Sequence, residues 1–279
     1  CVYQQREALS ILEHIPSVRG CEKDLDIKNK NGLSTGMFWR TQDDMDAGLT
    51  LDTDSVKIHY GASDTEGTSI SFSDGGTSDY TGGHKYAYTI TDLKTLAAAS
   101  ELGAGDTITI TYTATLNNSA KIGEAGNPNK YHVVYSNNPN KTGSGNTNET
   151  PDDVNIVFTF ETIFDKKDGD GNTLTGADFK LEKKVDGEWV DVTELFDGDN
   201  NPIKTGSTTT TSGEFTFAGL GQGEYKLTET TTPDGYNTID PIEFEITAEY
   251  EIVQGAGSIT SLDGTGDSIE FTANKPAGT

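Results

Sequence analysis

The chain has 279 residues and carries 45 acidic against 20 basic side chains, a formal net charge of −25 at pH 7. Its length is typical of about two domains. The acidic balance excludes a nucleic-acid-binding protein, which needs a basic surface for phosphates, and no apolar run approaches the ~18 residues that span a bilayer. Because the first residue is Cys1 rather than Met, we expect a piece of a longer protein.

The charge is unevenly distributed along the chain. Residues 1–42 hold six basic and five acidic side chains, net +1, which leaves −26 for residues 43–279. Both cysteines, Cys1 and Cys21, lie in the first segment. The sequence leaves open whether they form a disulfide or are two unrelated thiols. Such a shift in composition indicates a boundary, so residues 1–42 are predicted to be an atypical, unassigned leader.

Alternation of period two begins at Leu49 and is typical of half-buried strands. Between Leu93 and Leu102 an Ala-rich stretch ending at Gly103 predicts the single helix of this region. The predicted strands of this first domain, residues 43–140, are 49–51, 56–60, 68–72, 86–90, 107–112 and 131–135.

A polar segment without hydrophobic residues, 141–153, predicts a linker. A second β-rich region, 154–279, follows it, and Gly- and Asp-rich turns separate its strands. Many short strands with hardly any helix predict an all-β protein of two tandem immunoglobulin-like β-sandwich domains. The strands predicted in the second domain are 154–166, 177–184, 188–192, 213–218, 224–231, 242–249 and 268–274.

Three polar residues continue apolar strand faces in this second domain. Lys166 continues the even-numbered apolar positions that begin at Val154, Glu229 continues the parity of Tyr225 and Leu227, and Asn274 ends the last predicted strand. Lysine and glutamate are rarely buried without a partner, because desolvating a charge is costly. The alternative is that the strand ends at Asp165 and that Lys166 lies in solvent.

A joint chemical role would explain three such residues in one core. Burial lowers the pKa of a lysine, which then becomes a neutral nucleophile, and raises the pKa of a glutamate, which then stays protonated. The amine attacks the asparagine side-chain carbonyl, the glutamate transfers protons, and ammonia leaves. The product is an amide cross-link between two strands, made in a single self-modifying turnover, so no enzyme acting on an external substrate is predicted.

Three motifs in the second domain carry a family resemblance. They are FDKKDGDGNTLTGADFKL at 164–181, GEFTFAGLGQGEYKLTETTTPDGY at 213–236 and IEFTANKP at 269–276. Residues 154–279 thereby resemble a SpaA-type (Cna protein B-type) domain of Gram-positive surface adhesins and pilins. The resemblance implies an isopeptide bond between Lys166 and Asn274 with Glu229 as the catalytic carboxyl group, and Lys167 is the competing lysine.

Residues 43–140 resemble the D2-type, Cna protein A-like, isopeptide-forming domain of such fimbrial proteins. The resemblance rests on DDMDAGLTLDTDSVKIHYG, GAGDTITITYTATLNNSAKIG and NPNKYHVVYSNNPN, at 43–61, 103–123 and 127–140. It implies Asn137 as the cross-link acceptor and Asp43 as the assisting carboxyl group, with Asp44 and Asp46 as near competitors. A donor lysine is expected on a first strand that residues 1–42 do not show, so we expect that strand to be missing or replaced.

Metal and cofactor sites are not predicted. The turn from Asp168 to Asn172 is similar to the start of a calcium loop, but Thr173 and Phe179 occupy its sixth and twelfth positions, which favours a hairpin turn. Weak calcium binding by the acidic turns stays open. The histidines, His14, His59, His84 and His132, show no metal-binding spacing.

The predicted function is structural. The resemblance implies a subunit or stalk segment of a sortase-assembled pilus on the cell wall of a Gram-positive bacterium, with other pilin subunits as partners. The alternative is a wall-anchored adhesin module that binds a host extracellular-matrix protein or a glycan. Neither a sortase LPxTG-type signal nor a Tyr-Pro-Lys pilin motif occurs in the 279 residues, so shaft, tip and base roles stay open.

Overall fold

The computed structural model describes residues 11–13, 38–61, 68–69, 76–83, 85–92, 107–117, 119–136, 147–192, 208–253, 255–266 and 269–279. Both cysteines, the predicted helix at 93–102 and Asn137 lie outside these ranges. Within them, no helix is long and apolar enough to cross a membrane.

The N-terminal sandwich has two antiparallel sheets. One contains β1 (Ile11–Glu13), β3 (Leu49–Gly61), β4 (Thr68–Ser69) and β7 (Thr107–Leu116) in the order β1-β7-β3-β4. The other has the order β10-β8-β2-β6-β5, with β9 also on β8. Its strands are β2 (Trp39–Met45), β5 (Thr77–Thr81), β6 (Lys85–Ile90), β8 (Asn127–Ser136), β9 (Thr147–Glu149) and β10 (Asp153–Val157).

Alternating side chains from the two sheets fill the core between them, as the period-two pattern predicts. The core comprises Trp39, Met45, Leu49, Leu51, Val56, Ile58, Tyr86, Tyr88, Ile90, Ile110, Tyr112, Ala114, Leu116 and Val133.

The predicted boundary at residue 42 is wrong, because β2 runs across it. Trp39 is 3% exposed and belongs to the core, and β1, from the supposed leader, pairs with β7. The inward positions of β2 begin with the apolar Trp39 and end with the apolar Met45, and the polar Thr41 and Asp43 lie between them. Two polar residues on the buried face hide the hydrophobic alternation from a sequence-based search.

The C-terminal sandwich packs a two-stranded sheet on a five-stranded one. The pair is β11 (Phe160–Asp165) with β14 (Glu214–Leu220). The larger sheet has the order β13-β12-β15-β16-β17, and its strands are β12 (Asp178–Val185), β13 (Glu188–Asp191), β15 (Gly223–Thr231), β16 (Ile242–Val253) and β17 (Ala256–Gly266). Stacked aromatic rings fill the space between the sheets, with the centroids of Phe179 and Phe215 4.0 Å apart.

Two features of this sandwich differ from the prediction. The long strand β17 was not predicted, because its sequence is rich in Gly, Ser and Thr and offers few apolar residues to alternate. The strand predicted at 268–274 is absent from the described residues, where only Ile269 forms an isolated bridge to Gly266.

Residues 147–149 and 153 of the predicted linker 141–153 lie in strands of the N-terminal sheet, and residues 141–146 lie outside the described ranges. Both β9 and β10 pair with β8, so the chain stays in the N-terminal sheet until Val157. The next two residues, Phe158 and Thr159, are buried, and β11 begins at Phe160. The N–H of Gly123 donates to the Thr159 carbonyl at 2.9 Å. The domain boundary therefore lies at 158–159 rather than at 153–154.

The C-terminal core predicts a loss of stability at high pH. Burial raises the pKa of Tyr225, whose hydroxyl donates to the Gly221 carbonyl at 2.7 Å. An unfolded tyrosine ionises near pH 10 whereas the folded one keeps its proton, so stability is lost as pH rises above about 10. We expect the urea concentration at the midpoint of unfolding, followed by circular dichroism, to decrease above that pH.

Tyr225→Phe should make this decrease of the urea midpoint with pH less steep. Tyr236→Phe, at an exposed position, is the control and should leave the decrease unchanged. The same dependence of the midpoint on pH in both variants would contradict the prediction.

Candidate functional site

Lys166 and Glu229 form a buried pair at one end of the C-terminal sandwich. Lys166 directly follows β11 and Glu229 lies on β15, with Lys166 Nζ 3.2 Å from Glu229 Oε1. Their side chains are 10% and 0% exposed. The ring of Phe179 lies 5.9 Å from the same Nζ. Lys167 is exposed, so Lys166 is the lysine that faces the core.

Backbone hydrogen bonds fix the direction of Lys166 after its strand ends. Its N–H donates to the Gly213 carbonyl at 2.9 Å, and its carbonyl accepts from the Leu174 N–H at 3.0 Å. Gly213 adopts φ +79°, a conformation that L side chains rarely adopt, and a Cβ on it would lie 3.0 Å from the Lys166 carbonyl oxygen. The alternation of inward-facing side chains in β11 thus continues to Lys166, one residue beyond the end of the strand.

The Glu229 carboxyl group has one oxygen engaged and one available. Its Oε2 accepts hydrogen bonds from the Ile239 N–H at 2.9 Å and from the Thr232 hydroxyl at 3.4 Å. Although Lys166 Nζ is close to Oε1, the contact is not aligned as a hydrogen bond, and Oε1 has no hydrogen-bond partner among the described residues. A buried acceptor without a hydrogen bond costs about 1–3 kcal/mol, so the site is suited to an additional donor such as a carboxamide.

Asn274 does not lie at this site in the structure. It is exposed in a turn at the C-terminal end, where its carbonyl accepts from the Gly278 N–H at 2.9 Å. The Gly278 carbonyl in turn accepts from the Glu161 N–H at 2.8 Å, which places Asn274 near the start of β11. Lys166 follows the other end of β11, five residues and about 16 Å of strand further on. In this structure Asn274 therefore does not point into the core beside Lys166, and the Lys166–Asn274 bond stays a prediction.

An open groove separates β11 from the C-terminal segment. On one side β11 pairs with β14, and its other edge has no strand partner among the described residues. A cavity of about 200 Å³ is lined both by residues of β11, among them Thr162 and Ile163, and by residues of the C-terminal segment, among them Phe271 and Thr272. The edge is therefore available for a further strand.

The N-terminal core holds a second buried polar cluster. Asp43, on β2, is 5% exposed, and the Tyr112 hydroxyl donates to its Oδ2 at 2.5 Å. Asn129, on β8, is 1% exposed, and its Nδ2 lies 2.7 Å from the Tyr112 hydroxyl and 3.4 Å from Asp43 Oδ2. The predicted carboxyl group thus lies beside a carboxamide.

That carboxamide belongs to a residue that sequence reasoning missed. In the β2–β8 register, Met45 pairs with Asn129 and Trp39 with Tyr135, so Asn129 lies near Asp43 while the Ser136 end of β8 lies near Trp39. Asn137 follows that far end and lies outside the described residues. Asn129 shares the strand parity of the buried Tyr131 and Val133, and this was the signal available.

The two competitors of Asp43 have other partners. Asp44 is exposed and pairs with Lys85 at 2.7 Å, and Asp46 forms an ion pair with Lys121. Asp43 is therefore the carboxyl group that points into the core, as its parity with Trp39 requires.

The Asp168 turn is a hairpin turn, as predicted. Its Oδ1 accepts the backbone N–H groups of Asp170 and Asn172 at 2.9 and 2.8 Å. Hydrogen bonds from Asn172, first from its side chain, hold the pKa of Asp168 below its usual value. Within the described ranges, no group of three or more His, Cys, Asp or Glu side chains has metal-binding geometry.

Comparison with known proteins gives one family match and several relatives. Residues 161–256 match the SpaA family, described as a prealbumin-like fold domain. The chain is 32% identical over 178 residues to the trypsin-resistant surface T6 protein of Streptococcus pyogenes serotype M6. That alignment covers 59% of this chain and 30% of the T6 protein, so the chain spans less than a third of this relative.

Solved structures share the fold. The T6 backbone pilin of Streptococcus pyogenes serotype M6 aligns with a TM-score of 0.53 at 20% identity, covering 90% of this chain and 60% of that one. A C-terminal fragment of the major pilin GBS80 of Streptococcus agalactiae aligns with a TM-score of 0.55 at 24% identity, covering 75% and 78% of the two chains. These alignments and the two sandwiches confirm the predicted all-β, immunoglobulin-like architecture. Residues 161–256 of the C-terminal sandwich are therefore similar to the SpaA prealbumin-like domain, in a chain that is similar to the T6 surface protein and shares the fold of solved streptococcal pilins.

Proposed function

We propose that the chain is a structural segment of a sortase-assembled surface pilus, stabilised by a self-generated lysine–asparagine isopeptide bond in its C-terminal sandwich. The observation that carries the proposal is the buried Lys166–Glu229 pair, 3.2 Å apart, inside a SpaA-type domain. A pilus role is supported by similar structures whose names describe them as a backbone pilin and a major pilin.

The chemistry needs only groups that the chain supplies. Glu229 takes a proton from the Lys166 ammonium, and the free amine attacks Cγ of Asn274. The new bond joins Lys166 Nζ to that carbon. Glu229 gives its proton to the amide nitrogen, the bond from Cγ to that nitrogen breaks so that ammonia leaves, and Glu229 takes the second proton that Nζ loses as it becomes an amide. The reaction happens once per molecule, so the chain modifies itself and turns over no external substrate.

Intact mass under denaturing conditions tests the bond in the full chain. We expect the chain to be lighter by one ammonia per bond, and a tryptic peptide pair should join Lys166 to Asn274. Lys166→Ala and Glu229→Ala should restore the mass of one ammonia, while the exposed control Lys167→Ala should behave as the parent chain. An unmodified mass for the folded parent chain would overturn the cross-link.

For the N-terminal sandwich we propose the Asp43 cluster as the site of a second bond, whose amine a lysine on the first strand of the domain has to supply. Asn129 is the carboxamide next to Asp43 and is our first acceptor, while Asn137 remains the acceptor that the family resemblance implies. The same mass measurement separates them, since only the variant lacking the true acceptor, Asn129→Ala or Asn137→Ala, should regain one ammonia.

The proposed location is the cell wall, with other pilin subunits as partners joined through sortase. Antibodies to this chain should detect a high-molecular-weight ladder in wall extracts of the producing bacterium. The ladder should disappear in a strain without the pilus sortase, and a single monomer band in both strains would contradict assembly into a polymer.

A further inference from the structure

The last residues of the chain bridge the two sandwiches. The Pro276 carbonyl accepts from the Glu124 N–H at 3.2 Å, and Glu124 lies in a 3₁₀ turn (Gly123–Ala125) of the N-terminal sandwich. Gly278 is buried although its neighbours along the chain are more exposed. We call residues 276–279 the C-terminal staple.

Two glycines permit this contact because their backbones touch. A Cβ on Gly123 would lie 2.5 Å from the Ala277 carbonyl carbon, and a Cβ on Gly278 would lie 2.5 Å from Gly123 Cα. Both residues also have positive φ, +79° and +71°, which disfavours any L side chain. The staple is therefore a specific backbone-to-backbone contact.

The staple also occupies the open edge of β11. The Glu161 N–H donates to the Gly278 carbonyl at 2.8 Å. Further along the same edge, the 200 Å³ groove separates Ile163 from Thr272. The C-terminal segment is thus held at the start of β11 and is not paired along the rest of that strand.

Staple and cross-link exclude each other because of the length of the chain between them. Only Lys275 lies between Asn274 and Pro276, so the Cα atoms of these two residues are at most about 7 Å apart. Pro276 is fixed to Glu124, beside Thr159, whereas Lys166 lies beyond the far end of β11. Asn274 therefore reaches Lys166 only after the staple leaves its position.

We propose that the C-terminal staple controls formation of the isopeptide bond: it holds the unlinked chain, and its release lets residues 269–274 add to the open edge of β11 with Asn274 beside Lys166. This inference rests on the proposed function. The junction between the two sandwiches then regulates the cross-link, because the segment that contacts the N-terminal sandwich also carries Asn274 to Lys166.

The test makes the full chain by cell-free synthesis, so that it starts unlinked, and follows ammonia loss by intact mass over time as the chain folds. Gly123→Ala and Gly278→Ala weaken the staple, and we expect both to lose ammonia several-fold faster than the parent chain. Gly169→Ala is the matched control, because nothing lies within 4 Å of a Cβ there. Fluorescence of Trp39 and Trp189, one in each sandwich, reports whether each variant folds, and Gly278→Ala, outside the strands of both sandwiches, remains informative where Gly123→Ala fails to fold.

The outcomes separate this inference from the proposed function. A parent chain that links, with staple variants that link at its rate or more slowly, overturns the staple and leaves the bond in place. No ammonia loss in any variant overturns both. Faster loss in the two staple variants than in Gly169→Ala supports both.

Discussion

Replacing Lys166 with methionine should lower the free energy of unfolding of the C-terminal sandwich by about 5 kcal/mol, the contribution of a covalent link that closes a loop of ~100 residues. Methionine keeps the apolar stem of the side chain and removes the amine that forms the bond. Trp189, on β13, reports unfolding of this sandwich in a Trp39→Phe background, with urea as denaturant.

Matched variants separate the bond from local packing. Glu229→Gln should cause a similar loss with the lysine still in place, and the Lys166→Met, Glu229→Gln double variant should lose little more than either single one. Lys167→Met, at an exposed position, should stay within about 0.5 kcal/mol of the parent chain. A loss below about 1 kcal/mol for Lys166→Met would show that no bond stabilises the parent chain.

Removing the Asp43 carboxyl group should destabilise the N-terminal sandwich by about 3 kcal/mol, since two buried donors lose this acceptor and each unsatisfied group costs about 1–3 kcal/mol. The donors are the Tyr112 hydroxyl and the Asn129 amide. Asp43→Ala is the variant, and the intrinsic fluorescence of Trp39, 3% exposed on the same strand, is the measurement.

The control for Asp43→Ala is the same substitution at the next residue of the strand, Asp44. Asp44→Ala removes an exposed ion pair with Lys85, whose side chain is 48% exposed, and such pairs contribute at most about 1 kcal/mol. Equal losses for Asp43→Ala and Asp44→Ala would mean that the buried cluster contributes nothing specific to the stability of the fold.

Most strands could be predicted from the sequence because one face of each is apolar. β2 and β17 were not predicted, for different reasons. β2 buries Thr41 and Asp43 among its inward residues, and β17 is composed largely of small polar residues. In both strands the pairing partner, rather than the local pattern, decides the conformation.

The candidate sites could be predicted in part. Lys166 and Glu229 each continue an apolar strand face, but parity left a solvent-exposed Lys166 open, and the family resemblance was needed to pair the two residues that the structure brings within 3.2 Å. Asn274 follows a short apolar pattern that suits a strand and a turn equally, and contacts with Gly123 and Glu161 favour the turn. Asn129 required the β2–β8 register, which no single strand reveals.

The pairing of β10 with β8 determines where the protein tolerates division. A cut at 153–154 would leave β10 on the C-terminal piece, with Val154, Ile156 and Val157 separated from their partners, and would expose the edge of β8 on the other piece. Unpaired edges of this kind recruit strands from neighbouring molecules and lead to aggregation. A C-terminal piece that begins after Val157 avoids one exposed strand, although it still loses the cover that the N-terminal sandwich gives to Thr159 and Gly278.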